Sequence, residues 1–409
     1  MAGWRQGYTA FCCGLPSGVA LASVVAYNSI LVSDLQTDPA LLLSFEQASW
    51  ICKSIGNTAF LLGIASATGL SCIAAPCWGM AGVAGCLVGG WLSDLLGRRA
   101  VLALSALPLL LSFLLLQLQP SLAVVLASRG LAGLGDGMMY PNTWVYLSEA
   151  ASKEMRGTLG NLGANVSSCV GLLLTYGLAL VLNWRQLALA LTAPPALLLL
   201  GLCCIPESPY WLAGQGRLAE ALRSLAWLRA GHHTEVEVAE LTEKAGEVGR
   251  KVGPLSTRLR ARLKVLASSR FWRPFLLALP LSLLYSCSGL SLLTFYLVTV
   301  FQQAGSSLPP LHCSLAVSGW RLAVSLLSSL ALLRIRRRPL FLATTAVLCF
   351  AMASLGVFSY LRSRPEPAPA LATLGWLPLA LVLLIFAGGQ LGFAPIIKVK
   401  HISSHTLKV

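Results

Sequence analysis

Two charged side chains stand inside long apolar runs. One is Asp136, within Gly133-Leu134-Gly135-Asp136-Gly137; the other is Arg321, within Val317-Ser318-Gly319-Trp320-Arg321-Leu322-Ala323. A charge placed in an apolar helix is costly, and it is kept where it pairs with another group, holds a ligand or relays a proton. Asp136 follows Arg129 by seven residues on roughly the same helical face, so the two can pair. A phosphate-binding loop is excluded at this glycine-rich site, because no strand precedes it and no Lys-Ser/Thr follows.

A second set of charges lies between apolar runs. Asp94, Arg98 and Arg99 fall in Gly90-Trp91-Leu92-Ser93-Asp94-Leu95-Leu96-Gly97-Arg98-Arg99; Glu149, Arg156 and Glu207 follow later runs, and Arg337-Arg338 precede another. Glycine permits a tight turn there. An acid beside two arginines can make charge-assisted bonds to neighbouring helix ends. No nucleophile–base pair occurs, and no Cys–His set has metal-ligand spacing. The chain therefore reads as a non-enzyme without metal or cofactor. Most of its 12 cysteines sit in apolar stretches, as small hydrophobes do.

The elements that position these residues are membrane helices. Apolar residues make up 56% of the 409 residues and charged ones 11%, with a mean hydropathy of +0.74. Soluble domains carry about 25% charged residues, so a soluble enzyme and a disordered chain are excluded. The net charge of +15 does not imply a nucleic-acid partner, because no basic stripe with base-reading contacts accompanies it. Candidate spans are residues 10–33, 73–92, 100–119, 121–147, 158–182, 185–205, 274–300, 313–333, 339–361 and 371–397. The first exceeds the 7–15 apolar residues of a cleaved signal. Residues 54–72 read as an external or interfacial extension, or as a prolongation of the second span.

One long polar stretch, residues 206–273, divides six spans from four. Its Leu218, Ala221, Leu222, Leu225 and Leu228 recur at helical spacing, which predicts short amphipathic helices. With both termini on the cytoplasmic side, 24 of the 30 Lys and Arg fall on that side, as the positive-inside rule requires.

The Gly90–Arg99 string closely resembles the signature loop of the major facilitator superfamily. Further strings are similar to its sugar porter family: Arg129 followed by Tyr146-Leu147-Ser148-Glu149 and Arg156-Gly157-Thr158-Leu159; Pro206-Glu207-Ser208-Pro209; Ser288-Gly289 with Phe295-Tyr296; and Gly389-Gln390-Leu391-Gly392-Phe393-Ala394-Pro395-Ile396. Gly216-Arg217 and Ser224-Leu225-Ala226-Trp227-Leu228-Arg229 look like the insect facilitated trehalose transporters within that family. The resemblance implies an all-α polytopic major facilitator fold: a six-helix bundle over residues 1–205, a cytoplasmic helical linker over 206–273, and a second bundle over 274–409. That second bundle has four spans and reads as truncated, and its signature loop has Leu333 and Arg336 where Asp and Gly are usual.

The implied function is facilitative transport of a sugar, trehalose or a hexose, across the plasma membrane by alternating access. A truncated, non-transporting isoform or sensor of the same family is the second reading. Carried over by position, Asn161, Ser286, Ser288, Ser291, Phe295 and Tyr296 would face the sugar. Tyr285-Ser286 replaces the family's usual Gln pair, and Ser291 its usual Asn. Asp94, Arg98, Arg99, Glu149, Arg156, Glu207, Arg337 and Arg338 would form the gating charge network. Span one has no acid between Phe11 and Val32, where proton-coupled sugar porters place a carboxylate; this favours passive diffusion. The orientation is tested by a cysteine introduced at Ser403, which should be labelled by a membrane-impermeant thiol reagent only after cells are permeabilised. Labelling of intact cells would overturn it.

Overall fold

The computed structural model describes residues 2–35, 77–118, 122–152, 155, 159, 162–230, 235–250, 288–304, 308–334, 337–362 and 375–393, with isolated positions from 272 to 284. Residues 54–72, Arg156, Asn161 and Ser286 lie outside these. Every regular element among the described residues is helical. Lipid imposes this, since a spanning backbone must satisfy its own hydrogen bonds.

Helix α1 (Ala2–Thr9) runs through a π-helical turn at Ala10–Gly14 into α2 (Leu15–Leu35). Next come α3 (Cys77–Leu96), α4 (Arg98–Leu115) and α5 (Leu122–Ala150). A π-turn at Leu162–Val166 opens α6 (Ser167–Ala179). The sixth expected span is broken into α7 (Trp184–Ala190) and α8 (Ala193–Cys203), because Pro194 and Pro195 cannot donate to the preceding turn. By length and apolarity, the described segments Trp4–Leu31, Trp78–Leu96, Arg98–Leu115, Trp184–Cys203 and Pro339–Leu361 can each cross a membrane. Ser167–Ala179 and Leu377–Phe393 are shorter apolar helices.

The polar stretch folds into α9 (Pro209–Gly214), α10 (Leu218–Leu228) and α11 (Glu235–Arg250). The periodicity read from the sequence holds: Ala221, Leu225 and Leu228 of α10 are buried. Leu212, Ala213, Ala221, Leu225 and Leu241 form one small apolar cluster. Arg229 fastens it by donating from Nη2 to Glu237 at 3.0 Å and from Nη1 to the Ala150 carbonyl at 2.8 Å. Arg5 reaches the Trp227 carbonyl at 3.1 Å, so α1 is tied to α10.

Beyond it stand α12 (Leu290–Phe295), α13 (Leu297–Ala304), α14 (Pro310–Arg334), α15 (Arg337–Arg362) and α16 (Leu377–Gly388), the last ending in a π-turn at Gly389–Phe393. These later helices meet the earlier ones along two seams. Helix α6 packs along α14, and α2 packs against α12 and α13. At the second seam Ser29 Oγ accepts a bond from the Val298 amide at 3.2 Å.

Among the described residues α3 and α5 share the most extensive helix contact, and glycine makes it possible. A Cβ on Gly133 would run into the Trp78 carbonyl, and one on Gly137 into the Gly82 carbonyl. Small residues at this spacing let backbones touch, the usual basis of helix association in lipid. The reverse position is open: a Cβ on Gly82 would meet only the Gly133 carbonyl, at 3.6 Å. Gly137→Ala should therefore cost about 1–3 kcal/mol, as overpacking does, while Gly82→Ala stays within about 0.5 kcal/mol of the parent. Thermal unfolding in detergent distinguishes them, and equal losses would show that the two helices are held apart differently.

Candidate functional site

A cavity of about 650 Å³ lies where the two groups of helices face each other. Its wall comes from α2 (Leu21, Val25), α3 (Trp78, Gly82, Cys86), α5 (Asp136, Tyr140) and α6 (Ser168, Leu172) on one side. The other side is α12 (Ser291, Thr294, Phe295), α14 (Arg321), and the end of α16 with Gln390 of its π-turn. Most of this wall is apolar, with hydroxyls, one amide and two charges converging on it. That composition suits a small polar ligand held in a defined orientation.

Both intramembrane charges legible in the sequence point to this one cavity. Asp136 is 4% exposed, and its Oδ2 accepts a bond from the Trp78 indole at 3.1 Å. Arg129 donates from Nη1 to Asn28 Oδ1 and lies 5.2 Å from the centre of the Tyr27 ring. Seven residues of helix rise about 10.5 Å, so sharing a face leaves the two charged ends apart along the axis. The Trp78 ring continues across the cavity to Phe295, 6.1 Å away and edge-on.

The predicted ligand residues divide. Ser291 and Phe295 line the cavity, and Thr294 joins them. Tyr296 is one residue, about 100°, round the axis. It packs with the apolar core instead of the cavity. Ser288 stands in the turn before α12, bonded through its amide to the Leu284 carbonyl at 3.0 Å, and is not on the cavity wall. Sequence reasoning missed Thr294, Trp78, Tyr140 and Gln390. Thr294 was reachable as the i+3 neighbour of Ser291; nothing local marks the others.

At the far end of α3–α5 the charged loop residues assemble. Arg98 sets its fork on Glu149, with Nε to Oε2 at 3.3 Å and Nη2 to Oε1 at 3.4 Å. Its Nη1 reaches the Ser93 carbonyl at 2.7 Å and Asp94 Oδ1 at 3.4 Å. Glu207 accepts from the backbone amides of Arg98 at 3.0 Å and Arg99 at 3.1 Å. A carboxylate at a helix amino terminus completes open N–H groups and meets the positive end of the helix dipole. Gly97 makes room for it: its φ is +101°, and a Cβ there would press into the Glu207 carboxylate. Ser208 Oγ donates to Glu149 and caps α9 by accepting from the Trp211 amide at 3.3 Å. The cluster thus knits α3, α4, α5 and α9. Arg337 and Arg338 open α15, and their side chains lie outside the described residues.

The model of the family described as "Sugar (and other) transporter" matches residues 21–404. The chain belongs to the sugar transporter family. Curated relatives include the facilitated trehalose transporter Tret1 of Anopheles gambiae, 30% identical over 322 residues, covering 78% of this chain and 39% of that protein. Tret1-1 of Drosophila simulans is 31% identical over 318 residues, 78% of this chain and 36% of its own length. This family member therefore spans about two-fifths of the length of these two relatives. Among solved structures it resembles the partially occluded, inward-open xylose transporter XylE of E. coli, with a TM-score of 0.71 at 18% identity over 98% of this chain and 88% of that one. It also resembles the proton:xylose symporter XylE bound to 6-bromo-6-deoxy-D-glucose, at 0.74 and 19%, over 99% and 82%. At such identity the likeness establishes the architecture, the major facilitator fold.

The Arg98–Glu149 pair is partly buried, its side chains 15% and 20% exposed. A pair so placed is less screened by water than a surface one and escapes the full desolvation cost of a buried one. A double-mutant cycle with Arg98→Met and Glu149→Gln should give a coupling of about 1–2 kcal/mol in detergent stability. A coupling near zero would mean that Ser93, Asp94 and Ser208 hold these side chains without the pair.

Proposed function

We propose that the chain carries a sugar across the plasma membrane by facilitated diffusion, with alternating access to the central cavity and with trehalose and hexoses as the first substrates to test. The observation that carries this reading is the placement of the cavity. It lies between helices α2, α3, α5 and α6 and helices α12, α14 and α16 of a sugar transporter family member. Relative rocking of the two groups would open it to one side and then the other. Hydroxyls of Ser291 and Tyr140 and the Gln390 amide are the groups available to a polyol.

In this reading residues 1–205 and 274–409 are the two moving bundles, with 206–273 as cytoplasmic linker and both termini cytoplasmic. Asp94, Arg98, Arg99, Glu149 and Glu207 form one half of the gate. Arg156, Arg337 and Arg338 are its candidate partners, pairing in one state and parting in the other.

Passive transport is supported at Asn28. A neutral amide, not a carboxylate, faces Arg129 from α2, and no acid lies between Phe11 and Val32. Tracer uptake of trehalose and glucose into vesicles holding the purified chain should run to equal internal and external concentration. A protonophore should leave it unchanged. Accumulation above the external level, abolished by the protonophore, would overturn the passive reading and direct attention to Asp136.

A further inference from the structure

The described cavity wall carries one acid and one cation, and they do not pair. Asp136 stands on α5 and Arg321 on α14, with Arg129 outside that wall. Arg129, which shares a helix with Asp136, is engaged instead by Asn28 and the Tyr27 ring. Arg321 stands on α14, on the opposite wall. Its Nη1 donates to Thr294 Oγ1 at 3.1 Å, and its guanidinium carbon lies 4.4 Å from the centre of the Phe386 ring. Its Nε is buried and meets no acceptor. Among the described residues no acid touches it, and Asp136 is not within ion-pair distance.

A guanidinium laid on an aromatic face, with one amine fixed by a hydroxyl, keeps an N–H edge for a planar acceptor. Carboxylates match that edge. A cation held in a membrane interior without a counter-ion is costly, and a ligand that brings the missing negative charge relieves the cost only while bound. A neutral sugar leaves Arg321 uncompensated. Across the cavity Asp136, whose Oδ1 is also buried without a partner, presents an acid and no cation to the ligand. The two walls therefore orient an asymmetric ligand, its acidic end toward α14 and its hydroxyl-bearing end toward α5.

We propose that the preferred ligand of this cavity is a sugar acid, a polyhydroxylated molecule with a single carboxylate that pairs with Arg321. Ser291 and Gln390 stand beside that carboxylate site, and Tyr140 on α5 takes the far hydroxyls. The proposal rests on reading the cavity as the site of the transported molecule, and it narrows the substrate class from sugars to acidic sugars.

Equilibrium dialysis of the purified full chain against radiolabelled D-glucuronate and D-glucose tests it, with uptake of both measured in vesicles from the same preparation. Glucuronate should bind at least tenfold more tightly than glucose, a difference of about 1.4 kcal/mol. Arg321→Gln should remove that preference, and Arg321→Lys should restore part of it. Glucose binding as tightly as glucuronate, or an Arg321→Gln chain that keeps the preference, would overturn the proposal. So would binding of both compounds lost alike in the two variants. If glucuronate binding depends on Arg321 but neither compound crosses the membrane, the transport reading fails and the ligand assignment stands. If glucose equilibrates while glucuronate neither binds nor enters, transport stands and the assignment falls.

Discussion

The contact between the α3 and α5 backbones governs where everything else in the cavity sits. In lipid, apolar side chains gain little by facing each other instead of acyl chains, so helices associate through close packing and polar contacts. Here the packing is backbone on backbone, with Gly133 against Trp78 and Gly137 against Gly82. Asp136 lies between Gly135 and Gly137, and a Cβ on Gly135 would press into Leu109 of α4. A carboxylate so flanked is held at a joint of three helices. The 3.1 Å bond from Trp78 exists because the two axes are this close. Separating them by the width of a methyl group would break it and withdraw Trp78 from Phe295. The polar geometry of the site thus follows from residues with no side chain at all.

A second anchor lies where α3 turns into α4. Glu207 satisfies two amides that a helix start leaves open, and it does so from the far side of α5 and α6 in sequence, more than a hundred residues downstream. Its acceptor role is independent of its counter-charges. Arg98 meanwhile spends its donors on Glu149, Asp94 and the Ser93 carbonyl. Acid and base are therefore engaged in different tasks, capping and pairing, within one cluster. A device of this kind fixes helix ends relative to each other even where the ion pair itself contributes little.

Much of this was readable before any coordinates. The apolar runs located the helices, since lipid allows no other spanning element built from single segments of this length. The leucine spacing of α10 fixed its buried face. Asp94, Arg98, Glu149 and Glu207 were grouped from their loop positions, and the structure brings them together. What was not readable depends on distances between elements. Arg129 and Asp136 share a face, yet their helical rise and the position of Asn28 send Arg129 to α2 instead. Tyr296 belongs to the same string as Phe295 but falls on the core side of its helix. Trp78 and Gln390 are cavity residues only because α3 and α16 lean toward α12, and no local pattern encodes that lean.

The indole of Trp78 joins two facts that are otherwise separate. Its N–H is committed to Asp136 on α5, while its ring edge faces Phe295 on α12. These neighbours belong to the two sets of helices that must part and rejoin if the cavity is to change its exposure. The polarity around this ring therefore depends on the position of α12. Trp78, one of the chain's 11 tryptophans, is thus an intrinsic optical probe at the cavity, whose surroundings change if α12 moves.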